Sequence, residues 1–174
     1  MSGVLHACTG DGEYRFWLSS RGDLVRGRVR SSKGGPGQPL VVAAAPGGAA
    51  DHPWVDALFE AWSEWAALVA LDLPLCGSRR SEKLSEPGLD PGHAIAARIR
   101  SDLESQLAAD LRAVVDLVRG DDRPHPARIA LVAAGPTAAW VESAAREAAR
   151  FDPVLVTADP DQAWLAEAAA RIRP

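Results

Sequence analysis

The chain has 174 residues and a mass of 18.4 kDa, a length for about one domain, and its 47% hydrophobic and 24% charged residues exclude a disordered or fibrous chain. A net charge of −4 and a pI near 5.5, with Lys33 and Lys83 the only lysines, leave no electrostatic footprint for nucleic acid. The N-terminus lacks the basic start and apolar stretch of a secretory signal, no run approaches the roughly 20 apolar residues of a bilayer span, and Cys8 and Cys76 form neither a disulfide framework nor a zinc site, so a reduced, cytoplasmic protein without membrane association is expected.

The first thirty residues read as β. Residues 4–9 and 14–18 are short apolar runs about the turn Gly10-Asp11-Gly12, a hairpin signal, and 24–29 is a third short strand after Arg21-Gly22-Asp23. Residues 31–39 (SSKGGPGQP) form a loop. The rhythm then changes to strand, turn, helix. Residues 40–45 (LVVAAA) lack polar alternation, as strands buried on both faces do, and Pro46-Gly47-Gly48 breaks the run. A helix over 52–65 carries Trp54, Leu58, Trp62 and Trp65 on one stripe. Residues 67–71 (ALVAL) form the next strand, ending at Asp72. A loop over 73–91 leads to a helix over 93–119 with Ile99, Leu103, Leu107, Leu111, Val114, Val115 and Val118 at helical spacing. After a polar turn at 120–126 come a strand at 128–133, the turn Gly135-Pro136-Thr137 and a helix over 138–150, with Pro136 suited to a helix start. A strand at 154–157 and a helix at 160–171 complete the order.

Alternating buried strands and amphipathic helices define an α/β fold: three αβα layers around a mostly parallel, doubly wound sheet with an antiparallel N-terminal β-hairpin at its edge. A single domain spans 1–174, with the hairpin region at 1–30, a loop at 31–39 and βα units over 40–174. Ligands of such sheets bind beyond the carboxyl ends of the strands, here the turns at 46–51, 72–80, 133–137 and 157–161.

Three of these segments resemble the α/β-hydrolases, particularly the dienelactone-hydrolase-like and esterase branch. PLVVAAAPGGAADHPWVDALFEAW resembles the strand and oxyanion loop, ALVALDLPLCGSRRSEKLSE the next strand and its loop, and RIALVAAGPTAAWV the strand and nucleophile elbow, covering roughly residues 39–150. The departures bear on activity. The resemblance puts Gly135 where the nucleophilic Ser belongs, a vestigial elbow, and Ala133 and Thr137 replace its flanking glycines. Gly47 and Gly48 remain as a vestigial oxyanion loop, but Pro46 stands for the usual His, and Cys76 stands where the second loop commonly has His. The hydrolase pattern also expects further strands carrying the acid and a C-terminal His, and none follow within the 174 residues.

Replacement nucleophiles would be Cys76, a loop thiol, or Thr137, which suits a helix start better. His52 is the histidine placed to serve them, unless it only begins the Trp54 helix; His6, His93 and His125 read as structural or surface residues. Asp72 reads as an organiser of its loop rather than an acid, and Asp159 and Asp161 lack a His partner. Residues 78–83 (SRRSEK) read as a solvated loop before an anion site. No clustered His/Cys spacing indicates a metal, no phosphate-loop motif a nucleotide, and no cofactor is implied. Trp140 and Trp164 could pack together or against a partner.

The leading expectation is a shortened pseudo-hydrolase that has lost Ser-His-Asp ester hydrolysis and acts in binding or assembly. Its partner would be a second copy or another protein, at the last strand's edge and the last helix. The alternative is an active esterase or thioesterase using Cys76 or Thr137, or using residues supplied by a partner chain.

Overall fold

Strands whose residues are apolar without alternation can be buried only at the centre of a sheet covered on both sides. A computed structural model, which describes residues 3–9, 12–34, 37–79, 94–119, 126, 128–148 and 150–173, puts them there. One seven-stranded sheet takes in β1 (Gly3–Thr9), β2 (Glu13–Ser20), β3 (Asp23–Arg30), β4 (Leu40–Ala44), β5 (Ala67–Leu71), β6 (Ile129–Ala134) and β7 (Val154–Thr157), in the order β1-β2-β3-β5-β4-β6-β7. β5, β4, β6 and β7 are parallel; β1, β2 and β3 form an antiparallel meander that joins β5 antiparallel through β3.

The helices are α1 (Pro53–Trp62), α2 (Ala94–Arg119), α3 (Ala138–Ala148) and α4 (Gln162–Ile172). The period-two alternation of the strands sorts the core into two halves. Leu40, Val42 and Ala44 of β4 and Leu131 and Ala133 of β6 point to one face, under Leu107, Leu111 and Val114 of α2 and Val141 and Ala144 of α3. Val41 and Ala43 of β4, Ala130 and Val132 of β6 and Leu155 of β7 point to the other, under Trp54, Leu58 and Trp62 of α1 and Ala169 and Ile172 of α4. Phe16, Leu18, Val25 and Val29 of the meander extend the first half. Three layers result, helices on both faces of the sheet.

Two expectations need correction. α1 ends at Trp62 rather than at residue 65: the Ser63 N–H closes the helix on the Phe59 carbonyl, and the Trp65 and Ala66 N–H groups both turn back onto Trp62 so that the chain can enter β5. Trp65 therefore leaves the helical stripe, stacks near Trp62 with ring centroids 5.3 Å apart, and lies under the Arg173 guanidinium. Trp140 and Trp164 do not pack together, because α3 and α4 cover opposite faces; each joins a different half of the core. α4 begins at Gln162, where the Asp161 carboxylate caps it by accepting the Trp164 N–H at 2.7 Å.

Candidate functional site

β4 lies between β5 and β6. The chain leaves β4 through α1 to reach β5 and comes back through α2 to reach β6, so connections diverge at the carboxyl ends of β4 and β6, the place where a sheet of this kind opens a ligand crevice. Two short 3-10 turns meet there, Pro46–Gly48 after β4 and Gly135–Thr137 after β6.

Gly135 has φ +79°, a left-handed conformation that a side chain makes costly. A Cβ built on it would lie 2.9 Å from Pro46 Cβ and 3.0 Å from Pro46 Cα. The elbow thus keeps a sharp left-handed strand-to-helix turn, while Pro46 fills the volume into which a nucleophile would project. Thr137 sits at the end of this turn, its hydroxyl donating a long 3.5 Å bond to the Ala45 carbonyl, which helps close the strand end. In the facing loop Gly47 and Gly48 have φ +74° and +73°. The Gly48 N–H is spent on the Ala45 carbonyl at 2.8 Å and its carbonyl accepts the Leu73 N–H at 2.8 Å, so this glycine ties loops together instead of offering its N–H to an oxyanion.

Cys76 packs on the same glycine: a Cβ at Gly48 would come within 2.8 Å of both its Cβ and its Sγ. The thiol is half-buried, and burial first, then the neighbouring Asp72 carboxylate, push its pKa above the ordinary thiol value against the opposing pull of Arg79. A protonated thiol is a poor nucleophile. His52 does not correct this. It is the cap of α1, and its Nδ1 accepts the Trp54 N–H at 3.1 Å, so that nitrogen's lone pair is committed to the helix start. Among the described residues no hydrogen bond joins Cys76, Thr137 or Gly135 to a histidine. His6 lies on β1 opposite Arg15, while His93, His125 and residues 80–83 lie outside the described residues.

The carboxylates at the strand ends are structural ties. Asp72 accepts the Ala50 N–H at 2.8 Å on one oxygen, and the Ser78 N–H and hydroxyl on the other, holding the loops after β4 and β5 together. Asp161 caps α4, and Asp159 shares a tight turn with the Thr157 hydroxyl.

Arg79, read from sequence as part of a solvated basic loop, is instead buried. Its guanidinium donates to the Asp110 carboxylate at 2.6 Å, to the Asp72 carbonyl at 3.1 Å and to the Asp23 carboxylate. Asp110 is fully buried and takes a further bond from Gln106, which also reaches the Ser20 carbonyl. This network pins the loop after β5 to α2 and to the β2–β3 turn. The signal for it was present: Asp110 is a carboxylate one residue before Leu111 on the apolar stripe of α2, where an unpaired charge is untenable. Among the described residues no group of three or more His, Cys, Asp or Glu side chains could hold a metal ion, and no helix is long and apolar enough to cross a membrane.

No family model and no curated protein sequence matches the chain. Solved structures match it in fold. A cold-adapted esterase from an Arctic intertidal metagenomic library aligns with a TM-score of 0.61 at 18% identity over 83% of this chain and 59% of that one. An acetyl xylan esterase from a Paenibacillus species gives 0.63 at 17% identity over 87% and 52%. A dienelactone hydrolase from Anabaena variabilis gives 0.59 at 18% identity over 83% and 62%. The fold is that of the α/β-hydrolases, and the chain spans between half and two thirds of the length of these neighbours.

Proposed function

We propose that this chain is a non-catalytic α/β-hydrolase-fold protein, which uses the scaffold for binding or assembly and not for ester hydrolysis. The observation that carries this reading is the contact of Pro46 with Gly135: the elbow position has no nucleophile, and its side-chain volume is occupied. The surroundings support it. Cys76 is held as a thiol, His52 and Asp161 are spent as helix caps, and Asp72 is spent on loop closure. Nothing in this reading depends on the chain's length, because the elbow lies inside it.

The test is turnover of p-nitrophenyl acetate and butyrate, together with labelling by a fluorophosphonate probe. The expected result is hydrolysis no faster than with heat-denatured protein, and no labelled band. Turnover that survives purification and disappears in Cys76→Ala or Thr137→Ala would overturn the proposal in favour of an enzyme with a replacement nucleophile.

A further inference from the structure

Among the described residues β7 ends the sheet order. The Pro153 carbonyl accepts the Leu131 N–H at 3.0 Å, so Pro153 faces β6, and the alternation of a strand turns the N–H and C=O of Val154 and Val156 away from β6, to the outer edge. Beside that edge runs a groove of about 230 Å³, lined by Val154, Leu155 and Val156 of β7 and by Trp164, Glu167 and Arg171 of α4. Glu167 and Arg171 are exposed and one helical turn apart, and among the described residues neither enters an ion pair. On α3, by contrast, Glu142 and Arg146 at the same spacing pair at 2.6 Å.

We infer that the occupant of this edge is a second copy of the chain, related by a two-fold axis that joins β7 to β7 antiparallel and lays α4 beside α4. An interface about a two-fold axis must be complementary to itself, residue i meeting j while j meets i. The patch meets that demand twice. With the axis at Leu155, Val154 of one copy stands opposite Val156 of the other, and their outward N–H and C=O groups pair completely. The same operation runs the two α4 helices antiparallel, and because Leu155, Glu167 and Arg171 line one groove, the register we infer sets Glu167 of one copy opposite Arg171 of the other. A free strand edge would accept many strands; the unspent opposite charges, one helical turn apart, select this chain as its own partner. Leu155 stays beneath α4 in the core, and Trp164 lies at the flank as a large, half-buried contact.

This inference names a partner for the assembly role proposed above; its readout is molar mass, not turnover, so either can fail without the other. The full chain is examined by size-exclusion chromatography with light scattering from micromolar to hundred-micromolar concentration, and a species of twice 18.4 kDa is expected. Glu167→Arg alone sets Arg against Arg, and Arg171→Glu alone sets Glu against Glu. Each should weaken the dimer by about tenfold or more, and the two together should restore it to within about threefold of the original. Val156→Pro, which replaces an outward N–H, should also weaken it while leaving the far-ultraviolet circular dichroism unchanged. A monomer at all concentrations overturns the inference. So does a dimer indifferent to the single reversals, or one that the double reversal fails to restore.

Discussion

Gly135 holds the answer to what the crevice can do, and it is a backbone answer. A φ of +79° is open to glycine at no steric cost, whereas a serine there would carry the strain of a left-handed turn and a Cβ 2.9 Å from Pro46 Cβ. Gly135→Ser should therefore destabilise the fold by about 2–4 kcal/mol, summing left-handed strain with overpacking. It should acquire no fluorophosphonate label, since the Nδ1 lone pair of His52 is committed to the start of α1 and, among the described residues, no hydrogen bond links the elbow to a histidine. Pro46→Gly in the same chain removes the clashing ring and should recover part of that loss. Denaturant unfolding of the two single variants and the double variant measures the coupling, and additive losses would mean that the contact is not what excludes the side chain. Cys76 gives a second test at this scale. With its pKa above the ordinary thiol value through burial and Asp72, alkylation by iodoacetamide in a Cys8→Ala background should be slow at neutral pH and should still be rising with pH beyond the usual thiol range. A rate that levels off near neutrality would mark an activated thiolate and contradict the assignment.

At the scale of elements, loops and helix starts explain both what sequence shows and what it hides. β4, β5 and β6 were legible because continuous runs such as LVVAA and IALVAA fit only the middle of a covered sheet. α2 was legible from its apolar stripe, and α3 from the Gly135-Pro136-Thr137 turn that leads into it. The end of α1 was not, because the Trp spacing continues through Trp65 while the backbone turns at Ser63 to reach β5, a tertiary requirement that periodicity does not register. The site was half legible. Gly135 and Pro46 could each be singled out by resemblance, yet their contact spans β4 and β6, residues far apart in the chain, and only the fold supplies it. Arg79 was misread because a basic residue in a loop is ordinarily solvated, and its partner Asp110 lies on α2. The caps yield a prediction here. Asp161→Ala removes the oxygen that receives the Trp164 N–H and should cost about 0.5–2 kcal/mol in α4 and in the half of the core that it covers, a loss that Asp161→Ser mostly avoids. An acid in a triad would show the reverse pattern, with stability kept and activity lost. Thermal unfolding beside ester turnover separates the two.

For the molecule as a whole, the antiparallel meander and the parallel half are fastened by charges under α1. Glu13 of β2 accepts from Arg28 at 2.6 Å and from Arg30 at 2.7 Å, both of β3, and Arg28 also reaches Asp56 of α1 at 2.7 Å while lying over the Phe59 ring. Glu13 and Arg28 are nearly buried, so this is a desolvated cluster and not a surface pair. Burial by itself would raise the pKa of Glu13, but the hydrogen bonds and charges of Arg28 and Arg30 outweigh it and hold the carboxyl below its ordinary 4.5. The sign of the linkage follows. A depressed folded pKa means that the unfolded chain binds the proton more readily, so the stabilisation is fully present above about pH 4.5 and drains away as pH falls through the folded value. Glu13→Gln should lower stability at neutral pH, at or below the low end of the roughly 3–5 kcal/mol that breaking a buried pair costs, because Arg28 keeps Asp56. Its unfolding free energy should also fall less steeply than that of the parent as pH drops below about 4.5, where the parent's carboxylate takes up its proton. Urea unfolding across that range gives both curves. Parallel acid limbs would mean that Glu13 titrates normally, and that the cluster joins the two halves of the sheet through packing of Arg28 on Phe59 and not through its charge.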